Sequence, residues 1–208
     1  DTVAARLVQL PFTTEDEQSE RTEHEIADWL ATFDRHKLSK HTIGIDRGVA
    51  IPCATSDAGD FHFRRVERKR ISKRAKQRKR AQRVVARRQQ GSRRREIAKA
   101  WVSTLHRRDA DLRRDFAHQT SRKLVDDPNA ILFVFEDLKI KSMTARARGC
   151  GVRQKAGLNR SILGSAWGQT KIFLTHKAQK AHKLVISVAP HYSSQECRIC
   201  GHTSPDNR

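Results

Sequence analysis

Ala130-Ile131-Leu132-Phe133-Val134-Phe135-Glu136 is apolar at every position until it stops at an acid. A strand with one wet face alternates apolar and polar residues, whereas a continuous apolar run marks a strand covered on both faces in a largely parallel sheet. Upstream, Thr42-Ile43-Gly44-Ile45-Asp46-Arg47-Gly48-Val49 predicts another strand, over 41–46, again ending at an acid. The turn at Arg47-Gly48 leads to a second strand over 49–55, and Asp57-Ala58-Gly59-Asp60 to a third at Phe61-His62-Phe63. Loops this short predict antiparallel pairing. A basic helix follows, broken near Gly91-Ser92, and resumes with Ile97, Trp101, Leu105, Leu112 and Phe116 on one face before Pro128-Asn129 ends it. Downstream, a helix from Ser165 carries Trp167, Leu174, Ala178 and Ala181 along one side and feeds the strand Leu184-Val185-Ile186-Ser187-Val188, stopped by Pro190.

Three antiparallel strands and then helix, strand, helix, strand is the order of an RNase H-like α/β fold, a mixed sheet with flanking helices. In open α/β sheets, reacting groups gather where strand ends deliver them. If the strands ending at Asp46 and Glu136 are neighbours, carboxylates 90 positions apart converge. Hard carboxylate oxygens with no accompanying His suit Mg²⁺ or Mn²⁺ rather than zinc. Two such ions about 3.5–4 Å apart can activate water and stabilise the leaving oxygen of a phosphodiester. Gly44 and Gly48 would allow close backbone approach and a tight turn beside Asp46. The plainer reading is an Asp opening a β-turn and a Glu capping the next segment, and pattern alone leaves the two on an equal footing.

Charge narrows the partners. The 208 residues carry a formal +20 at pH 7, which favours a polyanion. Between Arg64 and Arg95, 17 Lys or Arg face one acid, Glu67, so this stretch holds most of the excess. Helical spacing puts Lys73, Arg80, Arg83 and Arg87 on one side, with Arg74 beside them, a rail for phosphates of nucleic acid. Glu15 to Asp28 is acidic and reads as a solvated linker into a short helix around Ile26, Trp29, Leu30 and Phe33. No run is long enough to span a membrane, and no basic-then-apolar signal opens the chain, so a cytoplasmic, nucleoid-associated protein is expected. Four cysteines do not make a disulfide framework. Cys197-Arg198-Ile199-Cys200-Gly201 has the shape of half a zinc site, which His202 or His191 could complete locally, although a truncated Cys₄ ribbon fits better. Cys53 reads as a small buried hydrophobe, Cys150 has no partner at useful spacing, and Trp101, Phe116 and Trp167 read as core.

Gly44-Ile45-Asp46-Arg47-Gly48-Val49 resembles the first RuvC motif of the transposon-encoded TnpB (OrfB) proteins and their relatives, the type V CRISPR effectors. Phe135-Glu136-Asp137-Leu138 resembles their second motif. Gly157-Leu158-Asn159-Arg160-Ser161-Ile162-Leu163, Ala166-Trp167-Gly168 and Val188 through His202 are similar to further stretches of TnpB, so that the resemblance covers 42–208 in order. It implies an RNA-guided DNA endonuclease, with a guide RNA and target DNA as partners, a RuvC nuclease domain and an inserted zinc ribbon. Asp46 and Glu136 would be the first and second metal-binding carboxylates, and Cys197 and Cys200 the first two of four Zn²⁺ ligands.

The family's second CxxC and third catalytic Asp lie downstream of the first CxxC, and this sequence ends at Arg208. Asp206 falls inside the ribbon insertion and is set aside as the third carboxylate. The expected organisation is therefore the end of a preceding domain and an acidic linker over 1–40, a nuclease core over 41–190 that includes the basic helical segment 64–127, and half a ribbon over 191–208. The chain begins with Asp and is expected to be a fragment that cuts little or nothing alone. Three rivals stand beside this reading: a guide-directed DNA binder that has lost cleavage, a guide-independent RuvC-type resolvase or transposase, and a non-enzymatic basic RNA-binding protein.

Overall fold

The computed structural model describes residues 28, 30–32, 34–57, 59–146, 151–189 and 204. The expected zinc ligands Cys197 and Cys200, and Cys150, lie outside the described residues, as do Ile26, Trp29 and Phe33 of the short helix expected there. Among the described residues, five strands make one mixed sheet: β1 Thr42–Asp46, β2 Cys53–Thr55, β3 Asp60–Phe61, β4 Leu132–Glu136 and β5 Leu184–Val188, in the spatial order β3-β2-β1-β4-β5. β1 pairs antiparallel with β2, and β2 with β3. On its other side β1 pairs parallel with β4, and β4 with β5.

Among the described residues, the helices with full bounds are α1 Arg35–Lys40, α2 Arg65–Arg87, α3 Arg93–Val125, α4 Ile140–Met143, α5 Val152–Gly164 and α6 Trp167–Lys180. The break between α2 and α3 falls where Gly91 and Ser92 predict it. Gly91 takes φ +79°, the left-handed region open to glycine, and the Ser92 hydroxyl caps α3 by accepting from the Arg95 amide. Arg95 then reaches back, its Nη1 donating to the carbonyls of Val85 and Arg88 and satisfying the end of α2.

The main core lies on one face of the sheet. Ile43 and Ile45 of β1 and Phe133 and Phe135 of β4 pack with Cys53, Leu124, Val125, Leu174 and Ala178, so α3 and α6 cover that face. The alternate residues Gly44, Asp46, Val134, Glu136 and Val188 line an open cleft on the opposite face. The expectation that β4 is covered on both faces therefore holds at Leu132, which is buried, and fails toward Glu136.

Other expectations are corrected. The strand expected over 49–55 contracts to Cys53–Thr55, because Gly48 and Ile51 close a turn through an amide-to-carbonyl bond of 3.1 Å and Pro52 has no amide to pair. The third strand is Asp60–Phe61, which leaves Phe63 free to pack on Phe116, ring centroids 4.3 Å apart. On α3 the buried face runs through Ala98, Leu105, Ala117, Ser121 and Leu124, while Ile97 is 61% and Trp101 44% exposed. In the first turns of α3, Ala98 and Trp101 line a groove against α2. Ala181 caps α6 and is exposed rather than lining it.

Candidate active site and nucleic-acid surface

The register of β1 on β4 matches Ile45 with Phe135, so Asp46 and Glu136 are the next residue on each of two adjacent parallel strands. Parallel strands deliver their carboxyl ends to the same edge, and the period-two alternation turns both acids away from Ile45, Phe135 and the core. Both line the cleft of about 350 Å³ with Gly44, Ser56, Val134 and Val188. Asp46 is exposed and Glu136 half-buried. Sequence spacing of 90 residues thus becomes side-by-side placement. Among the described residues, no three His, Cys, Asp or Glu side chains cluster closely enough to hold an ion by themselves.

Two residues that the sequence pattern does not single out for the site hold this edge together. Arg47 is buried; its Nη2 donates to the Glu136 backbone carbonyl, and its guanidinium lies over the Phe135 ring, 5.5 Å from the centroid. Burial pushes its pKa below the usual arginine value, and the charges of Asp137, Glu136 and Asp46 oppose that shift. A cation inserted between strand ends that carry three acids offsets their mutual repulsion. Trp167 is the second. Its indole Nε1 donates to the Gly48 carbonyl at 3.0 Å, fastening the turn that follows Asp46 to the start of α6. A Cβ on Gly48 would lie 2.8 Å from the Ile51 carbonyl oxygen, so this turn requires glycine. Gly44 is different: a Cβ there meets Ser56 at an ordinary 3.7 Å. The signals were in the sequence, an Arg immediately after the strand-end Asp and a Trp at a helix start, but neither reveals its distant partner.

Cys53 is buried beneath Asp46. Burial first, and the Asp46 charge second, push its thiol up to about 12. It is a protonated core residue, as expected from its place in a strand.

On α2, Lys73, Arg80, Arg83 and Arg87 are exposed. Arg74 is not among them in role. Its Nη1 is 2.9 Å from Asp109 Oδ1 and 2.6 Å from the Arg108 carbonyl, and Arg78 takes the other Asp109 oxygen at 2.7 Å. The buried Asp109 of α3 therefore clamps two arginines of α2 and fixes the hairpin from which the other cations project.

Comparison with known proteins identifies the family and a similar fold. Residues 11–147 match the OrfB_IS605 family model, described as "Probable transposase", and residues 167–208 match the Cas12f1-like TNB domain. The chain is similar to "Putative RNA-guided DNA endonuclease InsQ" of Escherichia coli (strain K12), 34% identical over 176 residues that make up 82% of this chain and 42% of that protein. It is also similar to "Putative RNA-guided DNA endonuclease" of Streptomyces pristinaespiralis, 30% identical over 160 residues, 76% of this chain and 36% of that one. The chain thus spans less than half the length of these curated relatives. Its fold is like that in a cryo-EM structure of a Cas12f1–sgRNA–target DNA complex, with TM-score 0.50 and 16% identity over 79% of this chain and 32% of that chain.

Proposed function

The chain belongs to the OrfB_IS605 transposase family, and from that premise we propose that it forms the RuvC-type nuclease core of an RNA-guided DNA endonuclease. The observation that carries the reading is the β1–β4 register, which sets Asp46 and Glu136 side by side at an open cleft. The names of the relatives supply the substrate class, and the exposed cations of α2 supply a surface for guide RNA and target DNA.

Two hard carboxylates at adjacent strand ends fit Mg²⁺ or Mn²⁺, with further ligands to come from DNA, water or another acid. Bound there, the metal would activate the attacking water and stabilise the leaving oxygen of the phosphodiester. Asp46 and Glu136 would hold it, while Arg47 fixes the backbone of Glu136 and Trp167 the turn after Asp46. Cys197 and Cys200 have thiolate spacing for Zn²⁺ and lie inside the segment matched to the TNB domain, so we assign them to half of a zinc ribbon.

The test uses the full-length protein purified with its bound RNA. Target-matched DNA should be cut in Mg²⁺, not in EDTA, and not by Asp46→Ala or Glu136→Ala. Tight RNA-dependent binding with no cutting would instead point to a silenced binder, and cutting indifferent to RNA would point to a guide-independent nuclease.

A further inference from the structure

Trp101 stands where helical periodicity predicts core, yet it is 44% exposed at the edge of a groove between α2 and α3. The groove holds about 300 Å³, the lower end of the range of roughly 300–1,000 Å³ that takes up small ligands. Buried Ala81 and Ala98 keep its floor low, and Val84 adds an apolar wall. Gln77 and Arg80 bring an amide and a guanidinium to it. Arg108, which does not line the groove, places its guanidinium over the indole, 5.9 Å from the ring centroid, and so orients the platform.

We propose that this groove binds one unpaired nucleobase of a single-stranded nucleic-acid segment, with Trp101 as the stacking surface. The inference rests on the reading of this chain as a nucleic-acid-binding protein and adds a site that reads base rather than backbone. An apolar plate edged by an amide and cations complements a base joined to a phosphate. An apolar peptide would leave those cations uncompensated on a hairpin already rich in positive charge. A base stacked inside a duplex cannot lie on the indole, so the groove selects unpaired residues. Gln77 would meet the base edge, and Arg80 the adjoining phosphate.

The test uses the full-length protein and a single-stranded RNA of about 12 nucleotides, beside an abasic oligomer of the same length and charge. The RNA should quench tryptophan fluorescence, and Trp101→Phe should abolish most of that signal while keeping most of the affinity. Trp101→Ala should weaken RNA binding about 5- to 100-fold and leave the abasic oligomer unaffected. Equal effects on both oligomers, or none on either, would overturn the base site while leaving phosphate binding intact. A photo-crosslinker in place of Trp101 should attach to RNA; attachment to protein would overturn the proposal in favour of a polypeptide cover. If the wild type binds neither oligomer, the nucleic-acid reading fails, and the base site fails with it.

Discussion

Replacing Trp167 by Phe removes the indole that donates to the Gly48 carbonyl and leaves an aromatic ring in place. The cost should be about 1–2 kcal/mol, because the change leaves an acceptor without its partner. It should fall on the turn after Asp46, so DNA cleavage by the full-length Trp167→Phe protein should drop further than its melting temperature explains. Gly48→Ala should be worse, since the new Cβ meets backbone rather than a side chain. Ala166, just before α6, adopts φ +62°, and Ala166→Gly should raise stability by about 1 kcal/mol in thermal or urea unfolding. Cys53 gives a pH dependence with a definite sign. Its folded pKa of about 12 lies above the ordinary 9.0, so its contribution is intact below pH 9 and is lost as pH rises toward 12. That loss should approach about 1.4 kcal/mol per pH unit across the window. Cys53→Ala should flatten that alkaline slope, and iodoacetamide should label Cys53 only after unfolding. At this scale the sequence singled out Asp46 and Glu136 as the candidates, because acids that end apolar strands stand out, and the structure sets them on adjacent strand ends. The sequence did not show Arg47 or Trp167 as their supports, because a hydrogen bond spanning 89 or 119 residues leaves no local periodic trace.

The α2–α3 hairpin is held by one buried acid. Asp109→Ala would leave Arg74 and Arg78 without their shared carboxylate in a partly enclosed site. Loss of one partner from a fully buried ion pair costs about 3–5 kcal/mol, and the partial exposure of both arginines lowers the expectation to about 2 kcal/mol. Urea unfolding of the variant measures it. The same geometry divides the basic residues into two kinds. Arg74→Ala should destabilise the hairpin and leave the salt dependence of nucleic-acid binding nearly unchanged. Lys73→Ala, Arg80→Ala, Arg83→Ala and Arg87→Ala should each reduce the slope of log affinity against log salt by about 0.7–0.9 for each phosphate the side chain had neutralised, with little change in stability. Helical spacing set out a row of positions that are exposed, except Arg74, but it could not tell that Asp109, 35 residues from Arg74, claims two arginines of α2. The exposure of Ile97 and Trp101 escapes the periodic pattern for a related reason. Periodicity records which residues share a face, while burial depends on whether another element reaches that face.

Across the molecule, the antiparallel half was the most legible property, since short loops imply the pairing β3-β2-β1. The neighbourhood of β1 and β4 stood only as a condition in the sequence, and the parallel pairings of β4 with β1 and β5 come from the structure. The cleft on one face was not legible, since continuous apolar character at Phe133, Val134 and Phe135 looks the same whether helices cover one side or two. That asymmetry matters for function. Helices α3 and α6 cover one face, and the other carries the cleft into which Asp46 and Glu136 project. The central claim is that these two carboxylates share a divalent metal, and Mn²⁺ binding followed by electron paramagnetic resonance tests it most directly. In the full-length protein bound to RNA and uncleavable DNA, Asp46→Asn and Glu136→Gln should each weaken Mn²⁺ binding by about tenfold or more, roughly the loss of one charge-assisted ligand, with melting temperatures nearly unchanged. Mn²⁺ affinity that survives both substitutions at wild-type strength would contradict the account.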